Sequence, residues 1–245
     1  MICKNCGYDF EGDFCSNCGQ SADTKRIDYG YLTSEVSKGI FQVNRGFLYT
    51  LKELVIRPGH SIRKFIEGKR KPHYKPLPFL LVTSTIYILW SYLTGTNTVV
   101  SDIISGMTGR MTQSEIKENM QRIHWVTKNQ TYILLLLLPF FSLASYWAFL
   151  KAKYNYFEHL ILSFYITGQQ MLIYSILASI FFRGYFTQVI PVMLVMVYGV
   201  WAYNQFFNKR RFSANLLSIL LMHIYMLFLV MTIISIATII YSALS

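Results

Sequence analysis

The distribution of apolar residues divides the chain near Pro76. Before it, apolar residues recur singly or at helical spacing among polar and basic neighbours; after it, they run in long blocks. A helix needs roughly 20 predominantly apolar residues to cross a bilayer's hydrocarbon core. Five blocks reach that length, near 77–95, 131–150, 160–182, 186–207 and 216–244, and the last is long enough to tilt. None contains Lys, Arg, Asp or Glu. Five such runs in one short chain leave little polar surface for a soluble core, so the pattern predicts an all-α integral membrane protein with about five transmembrane helices. In the connection between the first two runs, Ile116, Met120, Ile123 and Val126 recur at helical spacing. They predict an amphipathic helix over about 114–126, lying on the outer membrane surface or against the rim of the bundle.

The segment 25–76 predicts two or three short amphipathic helices. Phe47, Leu48, Leu51, Leu54 and Val55 form one apolar face, ended by Arg57-Pro58-Gly59. A second helix over His60–Glu67 carries Ile62, Phe65 and Ile66 on one side, with Gly68 suited to its C-terminal cap. Apolar faces flanked by cations read as helices at the inner headgroup layer, and Arg63, Lys64, Lys69, Arg70, Lys71 and Lys75 are the candidate contacts to anionic lipid headgroups. The same charges also serve as topogenic signals that hold the first span in place.

Composition and charge refine this picture. Of 245 residues 53% are hydrophobic and 14% charged, against about a quarter charged in a typical soluble domain. A net charge of +11 would suggest nucleic acid in a soluble protein. Here the cations sit beside apolar spans, where anionic lipid is the expected partner and nucleic acid is not. The N-terminus reads MICKNCG, with no basic region leading into an apolar one, so the first span is expected to act as the insertion signal. With five spans the two ends lie on opposite sides. Residues 1–76, Lys151, Lys153, Lys209, Arg210 and Arg211 then put 18 of the 23 Lys and Arg on one side, leaving Arg110, Lys117, Arg122, Lys128 and Arg183 on the other. The positive-inside bias places the N-terminus in the cytoplasm and the C-terminus outside.

All four cysteines fall in CKNCGYDFEGDFCSNCGQ, as Cys3, Cys6, Cys15 and Cys18. Two residues between cysteines let one tight turn aim both sulfurs at one ion. Gly7 and Gly19 follow the pairs, where a positive φ is needed, and such a turn can point backbone N–H groups at thiolates. Four thiolates suit one structural zinc ion per chain, in a closed shell with no open coordination position. Iron and disulfides are the competing readings, the latter disfavoured by a reducing cytoplasm. Residues 1–24 therefore form a zinc-ribbon-like module too small for its own core, with Tyr8, Phe10 and Phe14 as a minimal apolar cap. Residues 25–76 are the basic juxtamembrane helices, and 77–245 the transmembrane bundle.

Several motifs together resemble the DUF3667 family of uncharacterised bacterial membrane proteins: C-x2-C-G, G-D-F-C-x2-C-G-Q, Lys25-Arg26-Ile27, R-G-F-L-Y-T-L, R-P-G-x-x-I-R and I-E-G-K-R-K. The resemblance is specific through residues 1–80. It implies a bacterial inner-membrane protein and supplies no activity.

The spans contain few polar groups. Gln169 and Gln170 lie near the middle of the third, His223 in the fifth, Thr83-Ser84-Thr85 in the first, and Glu158-His159 at the mouth of the third. Gln169, Gln170 and His223 are a candidate substrate path; interhelical hydrogen bonding is the plainer role. The chain carries no H-E-x-x-H, G-x-S-x-G or P-loop motif, and the expectation is a protein that is not an enzyme. Two function classes remain. One is a membrane platform whose module and basic helices bind a cytosolic protein or anionic lipid. The other is a small transporter or lipid-handling protein, with a second copy of the chain as a candidate partner.

Overall fold

The computed structural model describes residues 1–37, 46–96, 113–181, 189–207 and 212–226; for 35–37, 113–128, 130 and 131 it describes the backbone alone. Among these residues the chain is helical apart from the N-terminal module and the connections between helices. The helices are α1 (Tyr29–Ser37), α2 (Gly46–Ile56), α3 (Pro58–Ile66), α4 (Pro76–Thr94), α5 (Gln113–Ala148), α6 (Tyr156–Ile180), α7 (Val189–Phe206) and α8 (Phe212–Met226).

Prolines at the first position open α3 and α4, where a missing N–H costs nothing and φ is already helical. Gly95 closes α4 in the left-handed conformation. Asn155 caps α6 through a capping box: its side chain accepts from the Glu158 N–H while the Glu158 carboxylate accepts from the Asn155 N–H.

Three helices, α4, α6 and α7, are long and apolar enough to cross a membrane. They match the first, third and fourth expected spans. The second expected span lies within α5, whose apolar part is Tyr132–Ala148, and the described part of the fifth is α8; the rest of the fifth lies outside the described residues. The amphipathic stretch near 114–126 is not a separate surface helix. It continues into the second apolar run as one helix of 36 residues. No glycine or proline interrupts residues 113–138, so nothing separates the amphipathic stretch from the apolar run; Pro139 lies further on, inside the helix. At 1.5 Å per residue it measures about 54 Å, well over the roughly 30 Å of a hydrocarbon core.

Helix α6 is central. About 67% of its apolar window is buried, against 33% in α4 and 28% in α7. It packs on α4, α5, α7, α2 and α3. Gly168 permits the close approach of α4, since a Cβ there would meet Thr83 Oγ1 at 2.7 Å and the Phe79 ring at 3.0 Å. The outward faces of α4 and α7 expose Ile88, Leu89, Leu93, Met193, Leu194 and Val197. An apolar patch of that extent is unstable against water and suits lipid.

The short helices depart from the expected placement. The apolar side of α3, with Ile62, Phe65 and Ile66 buried, faces the protein interior and joins the same core as Phe79, Tyr165 and Phe206. On α2, Leu54 points inward while Leu48, Val55 and Ile56 stay exposed. Burial against α6 and α7 removes the α3 face from lipid altogether; only α2 retains an outward apolar side.

Candidate metal centre and its docking surface

The N-terminal module is built twice over. Cys3 N–H donates to Tyr8 O and Gly7 N–H to Cys3 O; twelve residues on, Cys15 N–H donates to Gln20 O and Gly19 N–H to Cys15 O. Antiparallel bridges pair Ile2 with Asp9 and Phe14 with Ser21 at the same offset. Gly7 and Gly19 take φ of 76° and 68°, which a Cβ would resist. The two turns bring the four sulfurs within 4.8 Å of one another. Cys3 and Cys18 are 3.6 Å apart, as are Cys6 and Cys15. All four cysteines are free. A disulfide needs about 2.05 Å. A tetrahedron of thiolates at about 2.3 Å from an ion has edges near 3.8 Å, so these spacings fit a four-thiolate metal site.

The electrostatics act in opposite directions on the two cysteines of the second pair. Backbone N–H groups of Cys18 and Asn17 face the Cys15 sulfur, although burial pushes that thiol up to about 11. The Asn5 side chain, opposed by burial and aided by the Gln20 N–H, draws Cys18 down to about 6. Donors aimed at sulfur favour thiolate, the form that binds metal. Of the expected aromatic cap only Phe10 is buried, against Cys3 and Cys15; Tyr8 and Phe14 are exposed.

Two polar anchors fix this module to the rest of the chain. The first is Gln20, which is buried. Its Nε2 donates to Gly68 O (2.9 Å), and its Oε1 accepts from the Arg70 and Lys71 N–H groups (3.0 and 3.1 Å). Within the module, Lys4 Nζ donates to Thr24 O (2.6 Å). The second anchor follows at once in the chain. Arg26 makes a bidentate pair with Glu158 (2.9 and 2.8 Å) and donates to Lys153 O (3.0 Å), while Asn155 Nδ2 donates to Ile27 O (2.8 Å). Ile27 is fully buried beside them.

The bundle end that receives the module is also where α3 meets α7. Gln205 Oε1 accepts from the Gly59 N–H (2.8 Å), and Arg63 donates to the Gln205 and Phe206 carbonyls. Each helix terminus thus has its orphan backbone groups met by a side chain of the other. Residues 150–158, 205–207 and the described residues of the N-terminal 76 gather at this one end.

The six candidate headgroup cations divide into two groups. Arg63 is turned onto the end of α7, and Arg70 donates to Lys25 O and Phe65 O and stacks over Tyr31. Both guanidinium groups are therefore structural. Lys69 and Lys71 are exposed, and Lys64 and Lys75 half-buried. The candidate path residues are not joined. Gln170 Nε2 donates to Val195 O (3.0 Å) on α7, and His223 bonds its own helix at Ile219 O and meets Phe141 of α5 edge-on. Gln169 is buried with its Oε1 lacking a hydrogen-bond partner.

Residues 44–88 match a family described as a protein of unknown function (DUF3667). The chain carries the DUF3667 signature. The match covers α2, α3, the basic loop and most of α4; Gly68, Arg70 and Lys71, which receive Gln20, lie in that loop. No curated protein and no solved structure matches the chain. Sequence reasoning missed Gln20 and the Arg26–Glu158 anchor. A signal for the second existed: Asn155-x-x-Glu158 is a capping-box spacing at the start of an apolar run, and Glu158 is the lone carboxylate there.

Proposed function

We propose that this DUF3667 protein is a non-enzymatic membrane platform. Its four-cysteine module holds one structural zinc ion and is locked to the cytoplasmic end of a five-span bundle, for recognition of a cytosolic protein or anionic lipid headgroups. Zinc is favoured by four thiolates at tetrahedral spacing in a closed shell. A bacterial inner membrane follows from the family resemblance, and an N-in, C-out orientation from the lysine and arginine bias.

The observation that carries this reading is the anchoring of the module. Gln20 and Arg26 fix it on the protein side, yet Ile2 and Phe14 remain 75% and 66% exposed beside Tyr8. A metal-stiffened unit that is held in place and still presents apolar side chains suits recognition. Lys69 and Lys71 add exposed charge next to it, and the exposed apolar side of α2 suits the membrane interface. The transport reading draws on the unpartnered Gln169 Oε1 alone, since Gln170 bonds a neighbouring helix and His223 its own.

Metal analysis of the full-length protein tests the centre: about one zinc per chain is expected, and Cys3→Ser should lose it. Another metal, or an unchanged content in Cys3→Ser, rejects the zinc module. Labelling of single cysteines in intact cells should reach position 113 and spare position 20; the reverse pattern overturns the orientation.

A further inference from the structure

Between the segment leaving the module, the turn after α3 and the turn before α6 lies a cleft of about 370 Å³. That volume is within the range of roughly 300–1,000 Å³ typical of small-molecule sites. Its lining holds four cations, Lys4, Lys25, Arg26 and Lys153, against two carboxylates, Glu67 and Glu158. The balance is more positive than the count implies. Glu158 is already neutralised by the bidentate Arg26 pair. Three ammonium groups then share the cleft with one carboxylate.

Those ammonium groups are only lightly engaged. Lys4 has one bond, to Thr24 O, of the three it can donate. Lys25 faces Asp23 at 3.4 Å, but both side chains are largely in solvent, where such pairs contribute little. Lys153 has no carboxylate within ion-pair distance among the described residues. It is also the single described non-glycine residue with a positive φ, 62°, a conformation that β-carbons disfavour. Its carbonyl accepts from Arg26, so the anchor that closes the cleft also holds the strained turn. Backbone strain held by surrounding contacts at a charged cleft is a recurring mark of ligand sites.

We propose that this cleft binds a phosphate group, with Lys4, Lys25 and Lys153 converging on it from three separate segments. The phosphate is either that of a lipid headgroup or a free phosphate. The lipid source deepens the platform reading and rests on it; the free-phosphate source does not. Because the cleft forms only when the module is seated, an occupant bridges module and bundle and stabilises the seated state.

The test uses the full-length, metal-loaded protein. Inorganic phosphate binding is measured by calorimetry in detergent. Phosphatidic acid binding is measured by native mass spectrometry after reconstitution in phosphatidylcholine nanodiscs carrying it. Lys153→Gly removes the charge while allowing the left-handed backbone, and Lys25→Gln removes a second charge without touching an anchor. Together they should weaken binding of the active probe at least about tenfold, with zinc content unchanged. Lys69→Gln, outside the cleft lining, should leave it unaltered. Binding of phosphate assigns the site to a free anion, and binding of phosphatidic acid alone assigns it to a headgroup. Binding of neither, or equal weakening by Lys69→Gln, overturns the proposal. Metal content and protease protection of the module report on the platform reading independently.

Discussion

Replacing Gln20 with alanine removes three hydrogen bonds without touching a cysteine. In the seated module the Gly68 carbonyl would lose its 2.9 Å donor, and the Arg70 and Lys71 N–H groups their shared acceptor. The Gly68 contact is buried, so its carbonyl bears the full cost of going unpaired; the two N–H groups are part-buried and recover some solvation. One unmet buried group plus two partly met ones costs about 2–3 kcal/mol. That raises the unseated population roughly 30- to 150-fold. The Lys25–Arg26 peptide bond reports on it, because it lies between the two anchors and the Lys25 carbonyl is bonded to Arg70 Nη2 (2.7 Å) when the module is seated. When opening is fast relative to cleavage, proteolysis follows the open population. Trypsin should therefore release the N-terminal fragment of Gln20→Ala faster by about that factor, while metal content stays at the parent value, since Gln20 contributes only backbone groups to the cysteine cluster, its N–H to Cys18 and its carbonyl to the Cys15 N–H. A cleavage rate equal to the parent's, with the metal retained, would falsify the role of Gln20 as the anchor.

Two further outcomes test the packing behind the receiving surface. A Cβ at Gly59 would lie under 3.0 Å from backbone atoms of Phe206, Gln205 and Ala202, which cannot yield as a side chain can; Gly59→Ala should destabilise by about 1–3 kcal/mol or more. A thermal midpoint in detergent within error of the parent's rejects that close approach. His73 is buried between Ser61 Oγ and Lys69 O, and burial, partly offset by the Lys69 carbonyl and the Glu53 carboxylate, lowers its pKa from 6.5 to about 4. Below pH 6.5 the unfolded chain takes up a proton that the folded chain does not, so stability falls as pH drops from about 6.5 toward 4, by about 3 kcal/mol in all. His73→Gln should flatten that decline in midpoint against pH. An equal decline in both proteins shows that His73 does not titrate in this way.

How much of this was legible beforehand depends on the range of the interaction. The apolar runs of α4, α6 and α7, the proline starts at Pro58 and Pro76, and the C-x2-C-G turns are set by neighbours within a few residues, so periodicity and spacing reveal them. The same holds for the four sulfurs as one group, because two short turns linked by a short hairpin have few ways to close. The continuity of α5 was open to reading too, from the absence of any breaker between 113 and 138.

Tertiary structure alone decided where the apolar face of α3 and the arginines point. A face such as Ile62-Phe65-Ile66 is compatible with lipid or with another helix, and periodicity is identical in the two cases. The choice went to α6 and α7 because a glycine at 59 and a carbonyl-capping arginine at 63 let α3 approach the end of α7 closely. Likewise Gln20 meets residues 68–71 and Arg26 meets Glu158 across separations of about 50 and 132 residues. No local pattern encodes a pairing at that distance. The sequence by itself determined that a four-cysteine module precedes a set of long apolar helices; only the fold determined that the two are joined, since the bonds joining them link residues far apart in the chain.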